Sequence, residues 1–508
     1  MQFGAVLNNL IDRVIGYFDP HAGLKRAQAR TAMSFARQYD ISSKSPRNNG
    51  WKRPKTTASQ EVSAALNEAM ASGQELCRNN PLAKRAKRVI AASTVGAGIR
   101  VKFVHEDGKP NKKQERQLIK LNKKWKRWAK GRSCDFDGHH TFYGLQFLWM
   151  STIVESGGVF IRKHVTKTGE LELQSFEQSH LDRAKSGSGT DTDVDIVDGM
   201  EYRNGKLAGY WLYDTPTQTL THRHLKQSKF YPVDDIVHIF LKDRTGQHLG
   251  ITWFDASANI LRNYEIYKDA KLMQQQIAAC FALFVEEGSS AGGLAGELDT
   301  ELPDEVTPGM VEKIANGQTP HVVTPPKADA STNFDIGLKR DIAVGVGTTY
   351  ESMTGDNSQT NFASGRMGRI EFHQQLDIYQ HIMLEPALDI IATWFMDLFE
   401  FQDRSINSTK EFEPNWTFPP RLSVDPKIDF DHIISQVRNG MMSPSEAAQK
   451  LGKDFIAVIK RWKEDKELLD GLPFDFDPSM FSSAGNQIDE DDTASGTTNN
   501  QTKGENDE

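Results

Sequence analysis

Cysteine is scarce in this chain. Cys77, Cys134 and Cys280 lie far apart and form no C-x-x-C pair. That excludes a disulfide framework and fits reduced thiols. Long apolar runs are missing too: none reaches the ~18 residues that signal a membrane span. There is no Walker A sequence, no H-E-x-x-H, no zinc-ligand spacing and no G-x-S-x-G. P-loop hydrolysis of nucleotides, zincin chemistry and serine-hydrolase chemistry therefore have no residues to run on. An excess of positive charge is also lacking. The net charge is −7, against a protein whose whole surface grips nucleic acid.

What is present is a chain of 508 residues, 38% hydrophobic, with a mean hydropathy of −0.55. Length alone predicts about two to four domains. Phe3, Val6, Leu7, Leu10, Ile11, Val14, Ile15 and Phe18 share one helical face, which Asp19-Pro20 ends. No basic segment precedes an apolar core there, so a secretory leader is not expected. A docking helix is expected, with an interfacial membrane helix as the alternative. A basic, loop-rich arm follows to residue 58. Asn80 and Pro81 open a helix that Gly96 and Gly98 end.

The most basic stretch is 100–132, where Leu118, Leu121, Trp125 and Trp128 mark a buried face and the cations a solvated one. Contact with a polyanion or acidic partner is the alternative. Strand patterns follow at 158–162, 171–176, 209–213 and 236–241, giving a mixed α+β region. A helix is predicted over 257–280, strand-like runs at 281–285 and 321–324, and a helix over 334–350 containing Gly345 and Gly347. A polar loop, Thr354 to Asn361, comes next. The helix after it restarts or kinks at Pro386 and runs on to Phe401, and Trp416–Pro420 reads as linker. Three capped helices and an acidic tail close the chain.

The search for chemistry is mostly negative. His222, His224 and His238 are the nearest approach to a metal cluster, and His139-His140 reads as a helix start. Asp234, Asp235, Asp341 and Asp356 assemble on paper into a two-metal nuclease site, but scattered carboxylates of this kind are usually caps or solvated groups.

The pieces Arg78-Asn-Asn-Pro-Leu-Ala, Val95-Gly-x-Gly-Ile99, Gly157-Gly-Val-Phe-Ile-Arg162, Gly199-Met-Glu-Tyr202, Ile236-Val-His-Ile-Phe240, Arg244-x-Gly-Gln247, Gly250-Ile-x-Trp253 and Thr354-Gly-Asp-Asn-Ser-x-x-Asn-Phe-x-Ser364-x-Arg366 occur in this order. So does Leu451-Gly-x-Asp454 further on. Taken together, the chain resembles the portal proteins of tailed bacteriophages, of the lambda type. The resemblance implies an α+β portal fold: an N-terminal helix and arm (1–58), a mixed wing (59–255), a first stem helix (256–280) and a β-containing clip (281–330). A second stem helix (331–350), a tunnel loop (351–362), a long wing helix with linker (363–420), a helical crown (421–475) and an acidic tail (476–508) complete it. It also implies a dodecameric ring at one capsid vertex, in the virion and assembled in the host cytoplasm. Double-stranded DNA would pass through it without regard to sequence. The implied partners are the terminase large subunit, a head-tail adaptor, the major capsid protein and scaffold. No cofactor, metal, membrane or catalysis is implied. A gene transfer agent or domesticated prophage would use the same part; a metal-dependent nuclease is the competing class.

The residues expected to matter follow from that mapping. Gly355, Asp356, Asn357, Ser358, Gln359, Thr360 and Asn361 would face DNA, and Gly345 and Gly347 would form a hinge. Lys268, Lys271, Lys339 and Arg340 belong to the stem. Phe281, Phe284, Glu286, Glu287 and His321 belong to the clip.

Overall fold

The computed structural model describes residues 56–106, 110–188, 193–214, 227–279, 283–287, 318–322, 331–402, 411–421 and 426–469. The helix expected at the N-terminus, most of the basic arm, His222, His224, Cys280, Phe281 and the acidic tail lie outside them. The chain divides into two units, 1–61 and 62–508. The described part of the first is the short run 56–61, where a helix begins.

In chain order the elements are α1 (Ala58–Asn79), α2 (Pro81–Val95), β1 (Arg100–His105), α3 (Lys112–Lys130), α4 (Phe142–Ser156), β2 (Gly158–Val165) and β3 (Leu171–Glu177). Then come β4 (Gly187–Ser188), β5 (Val194–Val197), β6 (Met200–Arg203), β7 (Lys206–Leu212), β8 (Lys229–Pro232), β9 (Ile236–Phe240), α5 (Ala258–Ala279), β10 (Leu283–Glu287) and β11 (Gln318–Val322). After these stand α6 (Ser331–Val346), α7 (Tyr350–Thr354), α8 (Phe362–Ile378), a π-helical segment (Tyr379–Leu384), α9 (Glu385–Gln402) and β12 (Phe412–Thr417). The last three helices are α10 (Pro426–Arg438), α11 (Pro444–Lys450) and α12 (Phe455–Leu469).

β3-β2-β9 form a three-stranded antiparallel sheet. Its central strand is buried on both faces. Alternation along β2 sends Val159 and Ile161 into the main core and Phe160 into a smaller second core with Leu66, Met70, Tyr210 and Leu212. Trp125 of α3 is the hub of the main core. Its ring lies 5.4 Å from Phe103, 5.3 Å from Phe142, 4.9 Å from Phe395 and 6.2 Å from Trp416. Edge-on arrangements at this spacing suit the ring quadrupole and add to the burial of large apolar surface. Neighbouring indoles keep hydrogen-bond partners: Trp128 Nε1 donates to the Leu171 carbonyl at 2.7 Å and Trp416 Nε1 to Asp389 at 2.7 Å.

Several sequence expectations are corrected here. The linker expected at Trp416–Pro420 begins inside a strand: β12 pairs antiparallel with β1, Arg100 opposite Thr417, and buries Phe412 and Trp416. Pro414 and Asn415 hide that strand from a propensity reading. A five-stranded meander, β4-β5-β6-β7-β8, is larger than the single strand expected at 209–213. Its signal was available. Asp198-Gly199 and Asn204-Gly205 are two-residue hairpin turns with all four φ angles positive, between 49° and 77°. The helix expected over 334–350 stops at Val346, because Gly347 adopts φ +80°. Tyr350–Thr354 is a separate turn of helix, so the loop is shorter than 351–362.

The helix containing Pro386 does not break there. The segment Tyr379–Leu384 widens to i→i+5 bonding, and the Glu385 amide donates to the Gln380 carbonyl. Proline has no N–H and its ring crowds the carbonyl four residues back. The wider π turn just ahead absorbs that mismatch.

Candidate functional site: the loop after the paired helices

The loop is set by two helices that cross at a close approach. Ser257 is fully buried ahead of α5, and its Oγ donates to the Ile342 carbonyl of α6 at 3.2 Å. A Cβ on Gly345 would stand 2.1 Å from that Oγ, so only glycine fits. Gly347 then turns the chain, with the Gln375 amide nitrogen 2.9 Å from where a Cβ would be. Thr349 caps α7 by accepting from the Ser352 amide, and Met353 anchors this short helix in the core.

Gly355, with φ +77°, ends α7 and releases the loop. Gly355, Asp356, Asn357, Ser358, Gln359 and Asn361 are exposed, and Thr360 is half-buried. The exposed groups are nonetheless ordered by the loop's own bonds. Asp356 Oδ1 accepts from the Ser358 amide at 3.0 Å, and its Oδ2 from the Tyr350 hydroxyl at 2.9 Å. The Thr360 hydroxyl donates to Glu351 at 3.2 Å, and Asn361 caps α8 by accepting from the Ser364 amide at 2.8 Å. The hydrogen bonds from Ser358 first, and then from Tyr350, hold the Asp356 carboxyl below the usual carboxylate range.

The four cations expected in the stem are not equivalent. Lys339 pairs with Asp335 at 2.6 Å beside the buried Tyr264. Burial works against its charge, but Asp335 wins and leaves the Lys339 pKa raised. Lys268 stands over the same Tyr264 ring at 5.6 Å, and Lys271 over Tyr267 at 5.9 Å. Arg340 is exposed, with its guanidinium 5.6 Å from the Tyr350 ring. The structure thus brings Arg340, Tyr350 and Asp356 into one chain of contacts from α6 into the loop. Phe284, Glu286 and Glu287 stand on β10 and His321 on β11, with Phe284 opposite His321 in the register. Sequence reasoning missed Tyr350, Thr349 and Ser257. The pattern Thr349-Tyr-Glu-Ser352 was a capping signal that could have found the first two.

His222 and His224 lie outside the described residues, and several of the other candidate groups have structural partners. His238 is stacked between Phe160 at 4.1 Å and Phe240 at 4.5 Å, and burial pushes its imidazole down to about 3. The His139 and His140 amides donate to Asp135 at 3.0 and 2.7 Å, just before the Thr141 cap of α4. The Asp234 carbonyl accepts from Trp394 Nε1, and Asp341 is an exposed residue of α6. Among the described residues, no three His, Cys, Asp or Glu side chains are grouped to hold a metal ion. No described helix is long and apolar enough to cross a membrane.

Residues 44–380 match the family model described as phage portal protein, lambda family. The chain belongs to that family. Among portal relatives it is 24% identical over 467 residues to a probable portal protein of Halomonas phage phiHAP-1, covering 86% of this chain and 88% of that one. Solved structures with a similar course include the neck of a native gene transfer agent particle, computed with C12 symmetry. That match has a TM-score of 0.45 and 16% identity over 80% of this chain and 97% of the other. A portal protein of the HK97 family from Corynebacterium diphtheriae matches with a TM-score of 0.32 and 10% identity, over 71% and 97%. The α+β architecture of this portal chain rests on its own elements, and its family on the sequence match.

Proposed function

We propose that this portal protein assembles into a dodecameric ring at one capsid vertex and passes double-stranded DNA through an axial channel without catalysis. In this reading α5 and α6 are the stem and β10–β11 belong to the clip. Residues 355–361 are the loop that meets DNA, and α10–α12 are the crown. The energy source is a separate ATPase, the terminase large subunit. A head-tail adaptor, the major capsid protein and scaffold are the other partners. The particle is the site of action, and the host cytoplasm the site of assembly.

One observation carries the channel role: an ordered, exposed loop of Gly, Asp, Asn, Ser, Gln and Thr with no cation between Gly355 and Asn361. Each phosphate neutralised by Lys or Arg adds affinity, and a passage for long DNA has to avoid that friction. Exposed amides and hydroxyls let the duplex exchange one partner for the next, while Asp356 repels it.

Asp356→Lys tests this. Rings are expected to form, with packaging slowed or stalled in a packaging assay; normal packaging would move the DNA-facing loop elsewhere. Electron microscopy of the purified protein tests the ring itself. Monomers with metal-dependent cleavage of DNA would replace the conduit by a nuclease.

A further inference from the structure

One charged surface has no part in the loop or the stem. Helix α3 carries nine cations and a single acid, Glu115, in a chain whose net charge is −7. Its apolar face is used: Leu118, Leu121, Trp125 and Trp128 are buried, and the helix packs on β1, α4 and α9. On the opposite side Lys113, Arg116, Lys120, Lys123, Arg127 and Lys130 recur at intervals of three and four residues. That spacing lines them up along one face. All six are exposed. Among the described residues no ion pair is formed by Lys113, Arg116, Lys123, Arg127 or Lys130. The helix is firmly closed at its start by a reciprocal cap between Asn111 and Gln114, so the row is presented on a rigid rod.

We propose that this cationic row of α3 is a docking surface for the phosphate backbone of double-stranded DNA, separate from the loop at 355–361. The geometry suits a polyphosphate. From Lys113 to Lys130 the row spans about 25 Å at 1.5 Å per residue. One DNA strand presents about seven phosphates over that length. The row exposes no aromatic ring for bases to stack on, so recognition is independent of sequence. A protein partner fits less well. Lysine is depleted from the cores of protein interfaces, which need apolar anchors. Ile119, 62% exposed, is the one large apolar group exposed on α3. The overall negative charge does not oppose docking, because at physiological salt fields fade over about 8 Å and the duplex senses the row next to it.

The choice of DNA as the polyanion rests on the portal reading; the surface itself does not. The test uses the full chain and a fluorescent duplex of about 30 base pairs, with affinity measured by anisotropy at several salt concentrations. Wild type is expected to lose affinity steeply, about a thousandfold between 50 and 200 mM salt if all six cations engage. Replacing all six by Gln preserves helix propensity and should flatten the log–log slope by about 5. Replacing the four lysines by Arg should leave the slope unchanged. Circular dichroism and thermal melting check the fold of each variant.

A salt-insensitive wild type overturns the proposal, as does an unchanged slope in the folded Gln variant. Polyglutamate that displaces the labelled duplex at lower concentration than unlabelled duplex overturns it in favour of an acidic protein. Electron microscopy separates the two readings. Rings whose DNA affinity ignores α3 sink the docking surface and leave the portal, whereas monomers that bind DNA through α3 sink the ring and leave the surface.

Discussion

Gly345 and Ser257 show how narrowly single residues set the loop. The missing Cβ at 345 lets α6 lie against the segment that starts α5, and the clash it avoids is with one oxygen. Without that oxygen the nearest atom on residue 257 is its Cβ, 3.4 Å away, which is ordinary contact. Gly345→Ala is therefore expected to cost about 1–3 kcal/mol in denaturant unfolding, and much less in a Ser257→Ala background. Equal costs in both backgrounds would show that the approach is not what requires glycine. Any hinge motion at this pair has to separate Gly345 from Ser257 first. Asp356 offers a second test, by pH. Its folded pKa is lowered, so its contribution to loop order is complete above the ordinary carboxylate range and is lost as pH falls through the lowered value. Hydrogen exchange of residues 350–361, corrected for intrinsic rates, should rise as the solution is acidified in wild type. It should stay flat with pH in Asp356→Asn.

The long helix from Phe362 to Gln402 carries a second constraint at the element scale. Its π segment turns Tyr379 onto Trp253, ring centres 4.6 Å apart, and turns the buried Gln380 toward α2. Gln380 donates through Nε2 to the Thr94 carbonyl and accepts from Arg421 at 2.7 Å. Gln380→Ala deprives the buried Thr94 carbonyl of this donor and leaves Arg421 with Asp377, and it is expected to lower stability by about 1–3 kcal/mol. Ile382→Ala, at a site 70% exposed in the same segment, should stay within about 0.5 kcal/mol. Chemical denaturation of the two variants checks the contrast. Pro386 was legible in the sequence as a disturbance, but the ladder's response upstream was not. A proline reports the lost donor and is silent on whether the helix breaks or widens. Two helix starts were legible from local caps, Asn80-Pro81 and the Ser443–Glu446 box, which forms as the residue types indicate, whereas the equally local Thr349 cap of α7 was overlooked. β1–β12 was not, because its partners lie some three hundred residues apart and pairing is invisible to local pattern. In the candidate site, the polar loop stood out by composition. The role of Tyr350 in ordering Asp356 needed the folded turn between them.

At the scale of the whole molecule, the paired helices expose several large apolar side chains. Ile266 and Met273 on α5 are 58% and 64% exposed, and Val344 on α6 is 79% exposed. Val344 lies between Ala343 and Gly345, so its outward direction is fixed by the same packing that buries Ile342, Ala343 and Val346 inward. If a neighbouring copy in the proposed ring covers this face, each such side chain contributes up to about 1.5–3 kcal/mol to that contact. A charge placed there would have to be buried unpaired, which costs far more than the contact it replaces. The double variant Ile266→Glu, Val344→Glu is therefore expected to fold with an unchanged circular dichroism spectrum and melting profile as a monomer. It should yield no closed rings by native mass spectrometry or electron microscopy. Normal rings from that variant would place the joint between copies on another surface and leave these two positions as solvent-facing apolar groups without a partner.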